Sequence, residues 1–142
     1  MVVTVRLAIV GASPSAVEMF VPDVPRRGRG QLLDDLATQL DGEARFVPVR
    51  TTSRVRLIAK HAIAWIAIDG SDDPDTLFDR EHRVDVALVA GGTLTGTLLD
   101  SAPAARPRVV DHLNRGGAFV RLWTPGLHYF VNKAHILHVT EL

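Results

Sequence analysis

Phe46–Ile68 reads FVPVRTTSRVRLIAKHAIAWIAI, and Phe119–Glu141 reads FVRLWTPGLHYFVNKAHILHVTE. Set side by side without a gap, Phe46 meets Phe119, Val47 meets Val120 and Thr51 meets Thr124. Lys60 then meets Lys133, Ile63 meets Ile136 and Ile66 meets Val139. Upstream, VRLAIV (Val5–Val10) answers VDVALV (Val84–Val89), and LLDDL (Leu32–Leu36) answers VVDHL (Val109–Leu113) once the loops are gapped. Blocks that recur in one order mark an internal duplication, which governs every later reading of the chain.

Each copy carries the same order of elements. A strand (Val3–Val10; Val84–Ala90) runs into a turn (GASPS; AGG) and a second strand (Ala16–Val21; Thr93–Leu99). A loop and a short helix follow (Gln31–Leu40; Arg108–Asn114), then two strands and a last short one. The strands rest on period-two alternation: Leu94, Gly96 and Leu98 against Thr93, Thr95 and Thr97, and Val55, Leu57 and Ala59 against Arg54 and Arg56. The first helix rests on the stripe Leu32, Leu33, Leu36 and Leu40 and ends at Asp41-Gly42; Asn114 and Gly116 end the second. Helices this short need the strands to hold them.

The reading is therefore two repeats, 1–68 and 84–142, joined by an acidic linker, 69–83, that contains turn and breaker pairs. The formal charge is zero overall but uneven: +3 on the first repeat, −4 on the linker and +1 on the second. That balance gives no global nucleic-acid or membrane signal. With no cysteine, disulfides, thiolate nucleophiles and Cys-based zinc sites are excluded, which fits a reducing compartment. The longest apolar run, Ala62–Ile68, is too short to span a bilayer, and the first residues show no basic-then-apolar leader. The expectation is a cytoplasmic protein. A repeat of ~60–70 residues is marginal alone, so the copies are expected to pack together or to share strand edges, and to self-associate through them.

VDVALVAGGTLTGTLLD (Val84–Asp100) resembles the first Sm motif, with Gly92 in the turn and Gly96 at the bend of the second strand. Phe46–Ile68 resembles the second Sm motif in the form found in bacterial RNA chaperones of the Hfq type, including the run Lys60-His61-Ala62-Ile63. DTLFDREHRV, ahead of the second copy, resembles that family's short N-terminal helix. The resemblance implies a mainly β fold: two tandem Sm-like, SH3-type barrels of five antiparallel strands, each with a short helical insertion, able to join into rings through edge strands. It implies RNA binding at Lys60 and His61. Copy two keeps Lys133 but has Ala134 in the histidine position, with His135 one place later. The segments VPDVPRRGRGQLLDDLATQLDGE and SAPAARPRVVDHLNRGG are insertions relative to the family, present in both copies.

Three arginines, Arg26, Arg27 and Arg29, form the densest positive patch, and arginine forks beside glycines suit phosphate. The plainer reading of that patch is a solvated loop before a helix. Trp65, Trp123, Tyr129 and Phe130 offer base-stacking surfaces or, as aromatics on alternating strands more often do, core. His128, His135 and His138 do not have a metal-site spacing, and Asp34, Asp35 and Asp111 lie on helices where exposed or capping roles are ordinary. No nucleophile elbow, phosphate loop or cofactor motif occurs. The sequence thus predicts a non-enzymatic module without metal or cofactor that binds RNA through Lys60, His61, Arg26, Arg27, Arg29 and Lys133. The alternative is a protein-interaction scaffold with no nucleic-acid role.

Overall fold

The computed structural model describes residues 1–69, 82–99 and 108–142. The first repeat contains β1 (Val2–Ile9), β2 (Ser15–Phe20), α1 (Arg29–Asp41), β3 (Phe46–Thr51), β4 (Arg54–Ala59) and β5 (Ile63–Asp69). The second contains β6 (Arg83–Leu88), β7 (Thr93–Leu99), α2 (Val109–Asn114), β8 (Phe119–Thr124), β9 (Leu127–Asn132) and β10 (Ile136–Glu141). A single 3-10 turn precedes the last strand of each, at Lys60–Ala62 and Lys133–His135. Most of the linker, with its expected helix, lies outside the described residues.

All ten described strands are antiparallel members of one sheet, ordered β10-β6-β7-β8-β9-β5-β1-β2-β3-β4, and among the described residues the ladder does not close on itself. Within each repeat the strand order is the same, last-first-second-third-fourth. Even the irregularities recur: the register slips at Ala8/Ile9 against β5 and at Ile136/His138 against β6, so Ala64 and its counterpart Leu137 are the residues skipped. Gly91 and Gly92 form the β6–β7 hairpin, both at positive φ. Gly96 has a different reason to be glycine. A Cβ there would lie 2.5 Å from the Trp123 carbonyl oxygen, so only glycine lets β7 approach β8 this closely.

The two repeats meet where β5 pairs with β9, with Trp65 opposite Val131, Ile66 opposite Phe130 and Ile68 opposite His128. This seam buries both strands. Ile63, Ala64, Ile66, Ala67 and Ile68 of β5 are buried, as are His128, Phe130, Val131 and Asn132 of β9. Burial on both faces is what the near-continuous apolar run of β5 encodes. The core of the first repeat, built on Leu32, Leu33, Leu36 and Leu40 of α1 with Val5, Met19, Val47 and Ile63, extends across the seam to take in Phe119 and Phe130. The second core, around Val84, Val86, Leu98 and Leu122, receives Trp65 in return, and Trp65 meets Tyr129 edge to face at 5.2 Å.

The seam is also hydrogen-bonded through side chains. Buried Asn132 donates from Nδ2 to the carbonyls of Ile63 (2.9 Å) and Lys60 (3.2 Å), and its Oδ1 accepts from Ala134 N–H (3.0 Å). Arg121 donates to Asp34 Oδ1 at 2.8 Å and to His128 Nε2 at 3.0 Å, with its guanidinium 5.7 Å from the Phe130 ring centre. Asp41, the last residue of α1, accepts from Phe119 N–H at 3.1 Å. His135 Nε2 donates to the His61 carbonyl at 2.6 Å. No described helix is long and apolar enough to cross a membrane.

Candidate functional site

Lys60 and Lys133 each begin the 3-10 turn of their repeat, and each does the same thing. Lys60 Nζ donates to the carbonyls of Gln39 and Gly42, both at 3.0 Å. Lys133 Nζ donates to the carbonyls of His112 (3.3 Å) and Arg115 (2.5 Å). The last carbonyls of a helix have no partner within it, and an ammonium there also meets the negative end of the helix dipole. These lysines hold the helical insertions onto the strands. Burial lowers the pKa of both, opposed in both by the charge of Asp41.

The lysine bonds also set the true correspondence of the helices, because they span the same separations, 21 and 18 residues, in the two repeats. Leu36 and Leu40 therefore correspond to Val109 and Leu113, and Asp41 to Asn114. The pairing of LLDDL with VVDHL is displaced from this by one helical turn.

Around Lys60 lies an open recess of about 530 Å³ lined by Ala44, Arg45, Phe46, Lys60 and His61. Phe46 presents more than half of its surface to solvent, and Arg45 and His61 are exposed. The recess thus sets an exposed aromatic ring beside two side chains that carry charge at neutral pH and an imidazole. Its counterpart in the second repeat is filled: Phe119 is buried and the Asp41 carboxylate sits against Gly117, where an added Cβ would meet it at 2.1–2.4 Å.

The arginine patch is elsewhere. Arg26, with a side chain only 9% exposed, pairs with Asp35 at 2.7 Å and donates to the carbonyls of Pro22 (2.7 Å) and Val24 (3.4 Å). Arg29 donates to the Asp69 carbonyl. Arg27 is exposed, its backbone N–H bonded to Gln31 Oε1. These residues stand at the start of α1 and Lys60 at its end, ~20 Å apart along a helix of this length. Lys60 and His61 share one site; Arg26, Arg27 and Arg29 do not belong to it, and Lys133 serves the second repeat. Sequence reasoning missed Phe46 and Arg45 as members of the recess. The signal was present, since Phe46 opens the quoted repeat, but its counterpart Phe119 is core and nothing in the sequence distinguishes the two.

Among the described residues no three His, Asp or Glu side chains form a group able to hold a metal ion. His128 is buried against Phe130, and burial together with the Arg121 charge lowers its pKa to about 3. Comparison with protein-family models, with curated proteins and with solved structures gave no match for this chain.

Proposed function

We propose that the chain is a non-enzymatic RNA-binding module of the Sm and Hfq type, built from two barrel-like repeats, with its site at the recess of the first repeat. The observation that carries this is the recess itself: the exposed Phe46 ring stands beside Lys60, His61 and Arg45. An aromatic face bordered by cations suits a base stacked with its phosphate held nearby, the usual arrangement for single-stranded nucleic acid. His61 and Phe46 are the recognition groups. Lys60 contributes charge from a position fixed by the end of α1, so its removal affects folding as well as binding.

The test is fluorescence anisotropy with short labelled U-rich and A-rich RNAs at low and physiological salt, comparing the wild type with Phe46→Ala/His61→Ala. Loss of one stacked base costs ~1–3 kcal/mol, a fall of roughly 5- to 150-fold in affinity. No binding of either RNA at low salt by the folded protein would sink the reading.

The edges of β4 and β10, unpaired among the described residues, favour a second reading, a protein-interaction scaffold. Val55 and Leu57 on β4 and Leu137 on β10 are large apolar side chains turned to solvent at those edges. Exposed strand edges with apolar side chains are ready sites for strand addition.

A further inference from the structure

Four consecutive side chains of β4, those of Arg54, Val55, Arg56 and Leu57, are exposed. Pairing with β3 sorts them onto two faces. Val55 lies opposite Arg50 and Leu57 opposite Pro48 on the outer face; Arg54 lies opposite Thr51 and Arg56 opposite Val49 on the face that carries the core. Val55 and Leu57 are 62% and 64% exposed, and among the described residues neither Arg54 nor Arg56 pairs with an acidic side chain. The counterpart strand β9 is covered by β5, and there Leu127 stands in place of Arg54 and Tyr129 in place of Arg56. The open edge thus carries two arginines where the covered one carries a leucine and a tyrosine.

We infer that β4 docks an extended segment of another protein in which apolar and acidic residues alternate, added antiparallel in the register of the internal seam. This rests on the scaffold reading, for which it names the partner's chemistry, and it does not depend on the RNA reading. A strand added to an edge is held by main-chain hydrogen bonds and selected by its alternate side chains. The seam supplies the register: Ile66, Ala67, Ile68 and Asp69 of β5 lie opposite Phe130, Tyr129, His128 and Leu127. Transferred to β4, those four positions fall opposite Leu57, Arg56, Val55 and Arg54. Apolar side chains suit the first and third. The second and fourth call for carboxylates, which pair with arginine forks directly across the strands.

The chain's own last strand does not meet that requirement. In the same register Thr140 would stand opposite Arg56, Glu141 opposite Val55 and Leu142 opposite Arg54. The acid of β10 then faces an apolar side chain and the leucine that follows it faces a guanidinium. Charge therefore fits this edge to a different chain. The net charge of +3 on residues 1–68 draws an acidic segment to the same repeat.

The test is an NMR titration of the full chain with blocked peptides: Trp-Ile-Glu-Ile-Asp, its neutral isostere Trp-Ile-Gln-Ile-Asn, and the reversed-charge form Trp-Ile-Lys-Ile-Lys. Amide shifts read binding, and slowed exchange of the outward-facing β4 amides reads strand addition. The acidic peptide is expected to protect those amides and to bind roughly 2- to 30-fold more tightly than the neutral one, the range for two exposed ion pairs. In Arg54→Glu/Arg56→Glu, which alters exposed side chains and leaves the circular dichroism unchanged, the preference is expected to pass to the lysine peptide. Arg54→Gln/Arg56→Gln, expected to bind the acidic and neutral peptides alike, makes the same comparison if the reversal disturbs the fold. Acidic and neutral peptides that protect β4 equally in the wild type, or a preference that neither variant moves, overturn the acidic partner and leave β4 a strand-accepting edge. No protection of β4 by any of the peptides overturns β4 as a docking edge, and the scaffold reading of that edge with it. Protection in the peptide-free wild type that grows with protein concentration overturns the inference in favour of a second copy of this chain.

Discussion

Replacing Gly117 with alanine adds one methyl group at the tightest point of the seam. The backbone there is not in the left-handed region, so alanine brings no conformational strain and its whole effect is contact. The added Cβ would lie 2.1–2.4 Å from the Asp41 carboxyl atoms, which must therefore withdraw and surrender the 3.1 Å bond from Phe119 N–H. Overpacking costs ~1–3 kcal/mol and a lost hydrogen bond to a charged group ~1.5–3 kcal/mol, with partial relaxation of the first when the second is given up. The expected loss is about 2–4 kcal/mol, or roughly 7–15 °C in Tm for a chain of this size. The first repeat contains the same experiment in natural form, since Ala44 occupies the equivalent place where no carboxylate enters. Asp41→Ala alone should cost ~1–2 kcal/mol, and in that background Gly117→Ala should be nearly neutral, giving a coupling of about 2–4 kcal/mol in urea melts. Additive penalties, with no coupling, would refute the claim that α1 of one repeat is seated on β8 of the other.

Three further outcomes follow from the same geometry. His128 is held neutral, with a folded pKa of about 3 against ~6.5 when unfolded, so the unfolded chain binds the proton more readily. Its contribution is complete above pH ~6.5 and is lost as pH falls toward 3, at up to ~1.4 kcal/mol per pH unit; urea melts at pH 7, 6, 5 and 4 should show that slope and His128→Leu should flatten it by one proton. Lys60→Met and Lys133→Met should each cost ~1–2 kcal/mol by leaving two helix-end carbonyls unpartnered; a variant as stable as the wild type would show that the lysine does not hold the helix. Asn132→Ala strips hydrogen bonds from Lys60 O, Ile63 O and Ala134 N–H, and should lower stability by ~2–4 kcal/mol in the same melts, whereas Ala59→Gly, its counterpart on the open edge, should cost ~1 kcal/mol or less.

The strands and the repeat were legible because alternation and spacing record burial: Leu94, Gly96 and Leu98 alternate with threonines, and Phe46 to Ile66 recurs as Phe119 to Val139. The phase of the helices was not, because LLDDL and VVDHL are similar pentapeptides one turn out of step, and only the lysine bonds reveal it. Which strands pair across the repeats was written more faintly, in the contrast between IAWIAID and ILHVTE and between LHYFVN and RVRLIA: the buried member of each pair is apolar on both faces, the open member on one at most. Arg26 shows the limit of reading charge in a loop. Arg-Arg-Gly-Arg-Gly looks like a phosphate site until Asp35, nine residues on, is folded back against it.

The account stands or falls on the difference between a joint that is formed and its copy that is open, and amide hydrogen exchange on dilute protein measures that difference directly. Amides of β5 and β9 should be protected close to the limit set by global unfolding, and the outward-facing amides of β4 and β10, their repeat counterparts, should exchange orders of magnitude faster. Equal protection of the two pairs in dilute, monomeric protein would contradict the seam, and with it the assignment of β4 and β10 as the free edges.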